Sequence, residues 1–211
     1  MWIDVGAHRG ETTFEKARKN PDIVVYAFEP DVSVASHRFA LLDNFRVIAM
    51  AASIVDGLGE FHINSDDRTS SLLQLDQESV QTWYGAPGKL KSAQAVTVPT
   101  IRLDTFLKIA GIQKVEYLKI DAQGHDFEVL QSLGVRIKDV DTIQVEALVA
   151  ARSMYIDAHN QVAEVKSFME NQGFGLTENS DETFGREANL VFRRKAVQEL
   201  AQSARVSVDT F

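Results

Sequence analysis

The amino-acid sequence predicts an α/β fold built on a doubly wound, mostly parallel sheet. Strand-like and helix-like segments alternate along most of the chain, which is typical of a layered α/β architecture. Several strand-like segments, such as 23–28 and 45–51, are nearly continuous apolar runs. Such runs suit strands that are buried on both faces of a parallel sheet, with helices covering each face.

The individual elements follow from local signals. Pro21 ends the first helix, Asp31 is a good N-cap for the second, and Gly173 suits the end of the last one. Strands are expected at 2–5, 23–28, 45–51, 59–63, 95–103, 115–121, 141–147, 174–178 and 188–193. Helices are expected at 11–20, 31–42, 104–110, 126–132 and 160–171.

A single domain, residues 1–195, accounts for the regular pattern, and 196–211 is interpreted as a helical or loose tail. After the third strand the pattern becomes polar and irregular, so 57–100 is interpreted as an insertion of strands and loops. A long irregular segment is usually either functional or disordered, and embedded aromatic residues argue against plain disorder. We therefore expect a lid here, with Trp83 and Tyr84 offering faces for a sugar ring.

The composition excludes several classes of function. The chain has 211 residues and a net charge of −8, with no basic run longer than 193–195, so nucleic acid and anionic membranes are poor partners. It has no cysteine, which excludes disulfides, thiolate zinc sites and a cysteine nucleophile. No signal-peptide pattern or membrane-length apolar run is present, so a cytoplasmic protein is expected. The sequence does not indicate the oligomeric state.

Two strand ends together describe a pocket for a nucleoside. The first strand breaks into a turn with Gly6 and Gly10, where the backbone can approach a ligand closely. Glu29 stands at the tip of the next strand, where a carboxylate can bind two ribose hydroxyls. The alternatives are a tight strand-to-helix corner for the glycines and a solvent-facing position before Pro30 for Glu29.

Two charged residues within apolar strands need partners. Asp4 is costly to bury unless a cation or hydrogen-bond donor meets it, and an amino-acid ammonium group, Arg9 or a backbone donor could do so. Lys119 interrupts another strand, and Asp4, Asp121 or Glu146 could supply its carboxylate partner.

Five sequence blocks carry a family resemblance. They are DVGAHRG at 4–10, FEP at 28–30, TSSL at 69–72, VPTIRLD at 98–104 and YLKIDAQGHD at 117–126. Together they resemble the FkbM-type S-adenosylmethionine-dependent methyltransferases over nearly the whole chain, from 1 to 195. The combination is much more specific than any single block.

The resemblance implies a class I methyltransferase fold with a seven-stranded sheet and an antiparallel last strand. It implies S-adenosylmethionine as cofactor, with the first turn near the methionine part, Glu29 on the ribose, and Pro30 near the adenine. The candidate cofactor-binding residues are Asp4, Gly6, Ala7, Gly10, Glu29, Pro30, Ala52 and Asp121. Two departures are noted. The chain starts almost at the first strand, and His125-Asp126 stands where the family often has a small residue followed by glutamate.

Three residues are candidates for the catalytic base that a hydroxyl acceptor needs. Asp121 ends a central strand at the edge where α/β ligands bind, although it could also cap the following helix. His125 could act as a base, although a histidine at a helix start is more often simply exposed. Glu146 ends the next strand and faces the same crevice by topology. No HxH or HExxH spacing is present, so no metal is expected.

These observations favour an S-adenosylmethionine-dependent methyltransferase that acts on a hydroxyl of a small molecule or sugar. One alternative is an NAD-linked oxidoreductase, which would share Glu29 but should have three glycines in its first turn. The other alternative is a non-catalytic module that keeps the nucleoside pocket and has lost turnover.

Overall fold

The computed structural model describes residues 1–38, 40–85 and 88–195, so the predicted tail at 196–211 lies outside the described residues. In chain order the strands are β1 (Trp2–Val5), β2 (Val25–Phe28), β3 (Phe45–Ile48), β4 (Ala51–Ala52), β5 (Gly57–Asn64), β6 (Ser92–Ile101), β7 (Val115–Ile120), β8 (Val140–Leu148), β9 (Phe174–Glu182) and β10 (Glu187–Arg194). The helices are α1 (Phe14–Lys19), α2 (Val32–Ala35), α3 (Gln77–Tyr84), α4 (Leu103–Ile109), α5 (Asp126–Gln131) and α6 (Val162–Asn171).

Seven strands form the main sheet in the order β3-β2-β1-β7-β8-β10-β9. The pairs from β3 to β8 are parallel, whereas β10 runs antiparallel to both β8 and β9. This is the predicted fold class, including the antiparallel last strand. The chain order reverses between β1 and β7, and a parallel sheet binds ligands at such a switch point, beyond the carboxyl ends of its strands.

Helices cover both faces of the main sheet. Phe28 packs in one apolar cluster with Leu107 of α4 and Leu130 of α5. The preceding residue, Ala27, belongs to a different cluster, with Phe14 of α1. Because successive strand residues point to opposite faces, the two clusters lie on opposite sides of the sheet. No helix within the described ranges is both long and apolar enough to span a membrane.

A second sheet of three strands, in the order β4-β6-β5, stands beside the main one. The sequence predicted one strand over 45–51, but the structure divides this run. β3 ends at Ile48 in the main sheet, and β4 pairs in parallel with β6 in the second sheet. An apolar run does not encode the break, because it indicates that a segment can be buried and not which sheet it joins.

The helices near the first two strands are shorter than predicted. The first begins at Phe14 and not at residue 11, because the Thr13 hydroxyl is bonded to Asp4 and does not cap the helix. The second has a single α-turn from Val32, followed by a 3₁₀ turn that ends at Arg38. The sequence prediction missed α3, within the segment interpreted as irregular. Its signals were Asp76, whose side chain accepts from the Glu78 N–H, and Gly85 in the left-handed conformation at its end.

Candidate active site

Three neighbouring strand ends are tied together by backbone hydrogen bonds. The N–H groups of Gly6 and Ala7 donate to the carbonyl oxygen of Phe28 at 3.1 and 3.0 Å, which joins the first turn to the tip of β2. On the other side, the Asp121 N–H donates to the Val5 carbonyl oxygen at 3.1 Å. The ends of β2, β1 and β7 therefore form one continuous edge.

Gly6 is required by this close approach. Its φ is +69°, and a Cβ added there would lie 1.8 Å from the carbonyl oxygen of Asp121. No side chain can occupy that position without moving β7 away from the turn. Gly10 has a φ of +73° and a different role, because a Cβ there would meet Phe14 and Phe45, each at 3.1 Å. Gly10 thus lets the turn pack on the apolar side chains below it.

Glu29 is buried at the tip of β2, with only 7 % of its surface exposed. This excludes the alternative of a solvent-facing residue. Its Oε2 accepts from the His8 N–H at 2.9 Å, and its Oε1 accepts from the Asp31 N–H at 2.8 Å. Burial raises the pKa of Glu29 to about 7, although the two backbone donors oppose that rise. Each carboxylate oxygen keeps one further lone pair for a ligand hydroxyl.

A cavity of about 400 Å³ opens at this edge. Of the candidate residues, those that line it are Gly6, Ala7, Glu29, Pro30, Ala52, Asp121 and His125. Asp4, Gly10 and Glu146 are not among its lining residues. One end of the cavity is mainly apolar, with Phe28, Pro30, Met50, Ala51 and Ala52. The other end carries charged groups, with Lys119 and Asp121 among them.

Asp4 lies below the cavity, where its Oδ2 has a hydrogen-bond donor and its buried Oδ1 has none among the described residues. Its Oδ2 accepts from the Thr13 hydroxyl, and its Oδ1 lies 3.6 Å from Nζ of Lys119, its direct cross-strand neighbour. Burial would lower the pKa of Lys119, but the carboxylates of Asp121 and Asp4 outweigh it and the net shift is upward. Lys119 therefore stays charged, and Asp4 holds it in place.

Asp121 is the carboxylate at the charged end of the cavity. Its Oδ2 accepts from Nζ of Lys119 at 3.0 Å, and its Oδ1 accepts from the side-chain amide of Gln123 at 2.8 Å. The Ala122 and Gly124 N–H groups at the start of α5 are bound by Asp126 instead. Asp121 therefore does not cap α5, which leaves its carboxylate available at the cavity wall.

His125 is a buried, neutral imidazole rather than an exposed helix-start residue. Its Nε2 is 3.0 Å from the Ser53 hydroxyl, and its buried Nδ1 has no hydrogen-bond partner. Burial lowers the pKa of His125 to about 4, so the 3.8 Å approach of Glu128 to Nδ1 is not an ion pair at neutral pH. The ring forms part of the cavity wall, with Nε2 turned to Ser53 and Nδ1 turned toward Glu128 without a hydrogen bond.

Glu146 lies in a crowded group of acids beside the cavity. It is 7 % exposed, and its Oε2 has no hydrogen-bond partner among the described residues. Burial and the neighbouring charges of Asp121, Glu187 and Asp126 raise the pKa of Glu146 well above its ordinary value. Burial likewise raises the pKa of Asp126 to about 7 and that of Glu187 above its usual range. Glu187 was not among the predicted site residues, because it stands directly before the predicted strand 188–193 and belongs to no recognisable motif.

A short stretch after β5, residues 66–72, forms one wall of the cavity, and we call it the cover segment. It contributes Asp67, Arg68, Ser70 and Leu72 to the lining. Asp67 is bound by the Arg9 guanidinium at 2.6 Å, which ties the cover segment to the first turn. At its other end the Ser71 hydroxyl donates to the carbonyl oxygen of Gln123 at 2.8 Å. The TSSL block at 69–72 marked this segment as part of the family resemblance, but the sequence did not indicate that it forms a wall of the cavity.

Trp83 does not offer a free stacking face. It is buried in a small cluster with Leu75, Met154 and Tyr155, and its indole N–H donates to the carbonyl oxygen of Arg152 at 3.2 Å. α3 therefore packs against the segment that follows β8. Within the described residues, no group of three or more histidine or acidic side chains is placed to hold a metal ion.

The cavity fits an adenosyl amino acid in size and in the distribution of its groups. Its volume lies within the range of roughly 300–1,000 Å³ that small-molecule sites occupy. Glu29 is a buried acceptor placed between an apolar end, suited to a nucleobase, and a charged end, suited to an amino acid. The close packing at Gly6 brings both ends to one edge of the sheet.

Comparison with known proteins points to one family. The model of the methyltransferase FkbM domain matches residues 4–176. A protein of Beauveria bassiana named Methyltransferase 1 is 24% identical over 191 residues, covering 82% of this chain and 72% of that protein. The 2-O-methyltransferase NoeI of Sinorhizobium fredii is 24% identical over 139 residues, covering 61% of this chain and 55% of that protein.

A solved structure has the same fold. The magnesium protoporphyrin IX methyltransferase of Synechocystis PCC 6803, solved with bound SAH, aligns with a TM-score of 0.51 at 9% sequence identity. The alignment covers 92% of this chain and 74% of that one. At this identity the similarity establishes the fold alone.

Proposed function

Since the chain belongs to the FkbM methyltransferase family, we propose that this S-adenosylmethionine-dependent methyltransferase acts on a hydroxyl group of a small molecule or a sugar. The family, the enzyme class and the cofactor predicted from the sequence are confirmed. The acceptor is the part that we propose. The Sinorhizobium fredii relative is a 2-O-methyltransferase, which supports a hydroxyl group as the acceptor.

The observation that carries the proposal is the joint cavity at the ends of β1, β2 and β7. We place the ribose hydroxyls on Glu29, the base at the apolar end near Pro30 and Ala52, and the amino-acid part along Gly6 and Ala7. When bound there, S-adenosylmethionine supplies a methyl group that is already activated by its sulfonium. The residues of the chain then have to orient the acceptor, exclude water and remove one proton.

Among the three candidate bases, Asp121 has the best position. It lines the cavity, and Lys119 and Gln123 hold its carboxylate there. The nitrogens of His125 are turned to Ser53 and Glu128, and Glu146 does not line the cavity. We therefore propose that Asp121 accepts the hydroxyl proton. In this proposal Glu146 does not take the proton, and it acts only through its charge near Asp121.

The cover segment supports a lid function for the insertion predicted at 57–100. Asp67 joins it to Arg9 of the first turn, and Ser71 joins it to Gln123 after β7. A segment held at both sides of the cavity can exclude water from the transfer step. It must also be released for ligands to enter, so we propose that it opens and closes.

The two alternatives from the sequence differ from this proposal in simple tests. The family match does not support an NAD-linked oxidoreductase. If the protein were one, NAD would stabilise it and S-adenosylhomocysteine would not. A non-catalytic module predicts tight binding of S-adenosylhomocysteine with no transfer to any acceptor. A thermal-shift measurement with NAD and with S-adenosylhomocysteine distinguishes the oxidoreductase from the methyltransferase.

The decisive experiment measures transfer of labelled methyl groups to a panel of hydroxylated metabolites and glycosides. We expect Asp121→Asn to lower kcat by about 100-fold or more, because a positioned base contributes that much. S-adenosylhomocysteine should still bind. The matched control is Asp141→Asn, which removes a carboxylate paired with Lys114 away from the cavity and should leave kcat unchanged. Full activity in Asp121→Asn would overturn the assignment of the base.

A further inference from the structure

Gln123 is held in a strained conformation directly after the strand that ends at the cavity. Its φ is +53°, although it is neither glycine nor asparagine. The next residue, Gly124, has a φ of +88°, and a Cβ there would lie 2.7 Å from the ring of Tyr155. Strain of this kind persists only where the surroundings fix it, and it is concentrated at functional sites.

Three groups of Gln123 contact three different parts of the molecule. Its side-chain amide nitrogen donates to Oδ1 of Asp121 at 2.8 Å. Its amide oxygen lies 2.9 Å from the hydroxyl of Tyr155, which comes from the segment after β8. Its backbone carbonyl oxygen accepts from the hydroxyl of Ser71 in the cover segment at 2.8 Å.

The chemistry fixes which way the amide points. An ionised carboxylate only accepts hydrogen bonds, so the amide nitrogen must face Asp121 and the amide oxygen must face Tyr155. The Tyr155 hydroxyl is also 2.8 Å from the carbonyl oxygen of Thr69 in the cover segment. Its single proton can be given to Thr69 or to Gln123, so the two contacts are linked through one buried hydroxyl.

We propose that Gln123 is a positioning residue that holds the Asp121 carboxylate toward the acceptor. The inference rests on the proposed role of Asp121 in methyl transfer. The Ser71 hydroxyl holds the backbone of Gln123, and the Tyr155 hydroxyl holds its side-chain amide oxygen. The amide nitrogen therefore stays on Asp121 and fixes the carboxylate beside the cavity. Without these contacts the amide, and with it the carboxylate, would be free to turn.

The charges around Asp121 make the Gln123 hydrogen bond important. Lys119 of β7 supports the ionised carboxylate directly, and Asp4 of β1 takes a share of that lysine. The remaining groups that interact with Asp121 are acids from α5, β8 and β10, namely Asp126, Glu146 and Glu187. Gln123 is thus the neutral donor that offsets repulsion from three sides.

The first test follows the carboxyl carbon of Asp121 by NMR at pH 7, in protein labelled with ¹³C-aspartate. In Gln123→Met the signal of this carbon should move, because the carboxylate loses a hydrogen-bond donor. The matched control is Gln113→Met, a change at an exposed position that should leave the signal unchanged. An unaltered Asp121 signal in Gln123→Met would overturn the proposal.

The second test uses Tyr155→Phe, which keeps the ring packed on Gly124 and removes only the hydroxyl. Amide hydrogen exchange at Thr69 and Ser71 should become about three- to tenfold faster, as expected from the loss of one hydrogen bond. The carboxyl carbon signal of Asp121 should move in the same direction as in Gln123→Met. If exchange accelerates while Asp121 does not respond, the coupling is wrong.

Neither measurement needs a methyl acceptor, so both can succeed or fail independently of the proposed function. Once an acceptor is known, the acid limb of the pH profile of kcat should move to higher pH in Gln123→Met. A lower kcat with an unmoved profile would indicate a purely structural residue and would contradict the proposal.

Discussion

The two ends of the cavity are built on different physical principles. At the end formed by β1 and β2, one buried acid, Glu29, is met by two backbone N–H groups in an otherwise mainly apolar wall. At the end formed by β7, Asp121 lines the cavity in front of a crowded group of acids on α5, β8 and β10, and Lys119 is the one cation that contacts the Asp121 carboxylate among the described residues.

This difference shows what each end is ready to do. The Glu29 end has its donors in place and needs no rearrangement to receive hydroxyl groups. The other end holds charges that repel one another, and the Glu146 carboxylate has an oxygen without any partner among the described residues. A ligand or protons must relieve that repulsion. In the function that we propose, the first end therefore receives the cofactor and the second end receives the group that reacts.

The largest effect is expected at the point where the two ends meet. Gly6→Ala would place a Cβ 1.8 Å from the Asp121 carbonyl oxygen, so β1 and β7 must separate. We expect a loss of about 3 kcal/mol or more in the free energy of unfolding, measured with urea, because the substitution combines strain with a backbone clash. Binding of S-adenosylhomocysteine should be lost as well.

Gly111→Ala is the matched control for this substitution. Gly111 has almost the same φ, +67°, but nothing lies within 4 Å of an added Cβ. It should cost only about 1 kcal/mol, the penalty of the left-handed conformation alone. Equal losses in the two variants would mean that the seam between β1 and β7 does not depend on Gly6.

Glu29→Ala tests the end that is already in place. We expect S-adenosylhomocysteine to bind more weakly by about 1–3 kcal/mol in calorimetry, because two hydroxyl groups lose their acceptor. Glu60→Ala, at an exposed position of β5, should leave the affinity unchanged. An unchanged affinity in Glu29→Ala would mean that this carboxylate does not touch the ligand.

The pKa of Glu29 adds a dependence on pH. The ribose hydroxyl groups of the ligand would donate to Glu29 and therefore favour its ionised form. Without ligand, burial raises the pKa of Glu29 to about 7. Affinity should therefore be full above about pH 8 and fall as the pH is lowered through 7. In Glu29→Gln this dependence should disappear.

The smallest effect is a gain in stability at the crowded end. The pKa of Glu146 is raised in the folded protein, so folding takes up a proton between the unfolded value, about 4.3, and the folded one. Stability is consequently lost as the pH rises through that window. Glu146→Gln removes the titration, and it should stabilise the protein by about 1–2 kcal/mol at pH 8 and by less at pH 5.

The comparison for Glu146→Gln is Glu178→Gln, an exposed acid of β9 that should change stability little at either pH. If Glu146→Gln and the unmodified protein are equally stable at pH 8, the repulsion between Glu146 and the neighbouring acids does not destabilise the folded protein. Lower stability at pH 8 would show that the charged form is favoured there.

The sequence predicted the fold class and most strands, because buried parallel strands leave long apolar runs. It predicted the placement of Glu29 and Gly6 for the same reason, since both stand where such a run ends. It did not predict the division of 45–51 between two sheets, because both pieces are apolar. The sequence also did not predict the shortened first helix. The reason is that Thr13 bonds to Asp4 of β1, and no local pattern indicates this contact.

The sequence predicted which strand ends form the candidate site. It did not predict which charged side chains pair with one another there. Asp4 pairs with Lys119 across two strands that are more than a hundred residues apart in sequence. The crowding of Glu146 and Glu187 depends on the antiparallel register of β10, which no local signal encodes. Long-range electrostatics of this kind can be obtained only from the folded arrangement.

The direction of β10 also has a practical use. Because it runs against its neighbours, its final residues leave the sheet at the edge opposite to the cavity, where Arg194 donates to the carbonyl oxygen of Val140. A strand of this length spans about 25 Å. An immobilisation group attached at the exposed Arg193, near the end of β10, would lie at the edge of the sheet opposite to the cavity, which favours surface-based binding assays in that orientation.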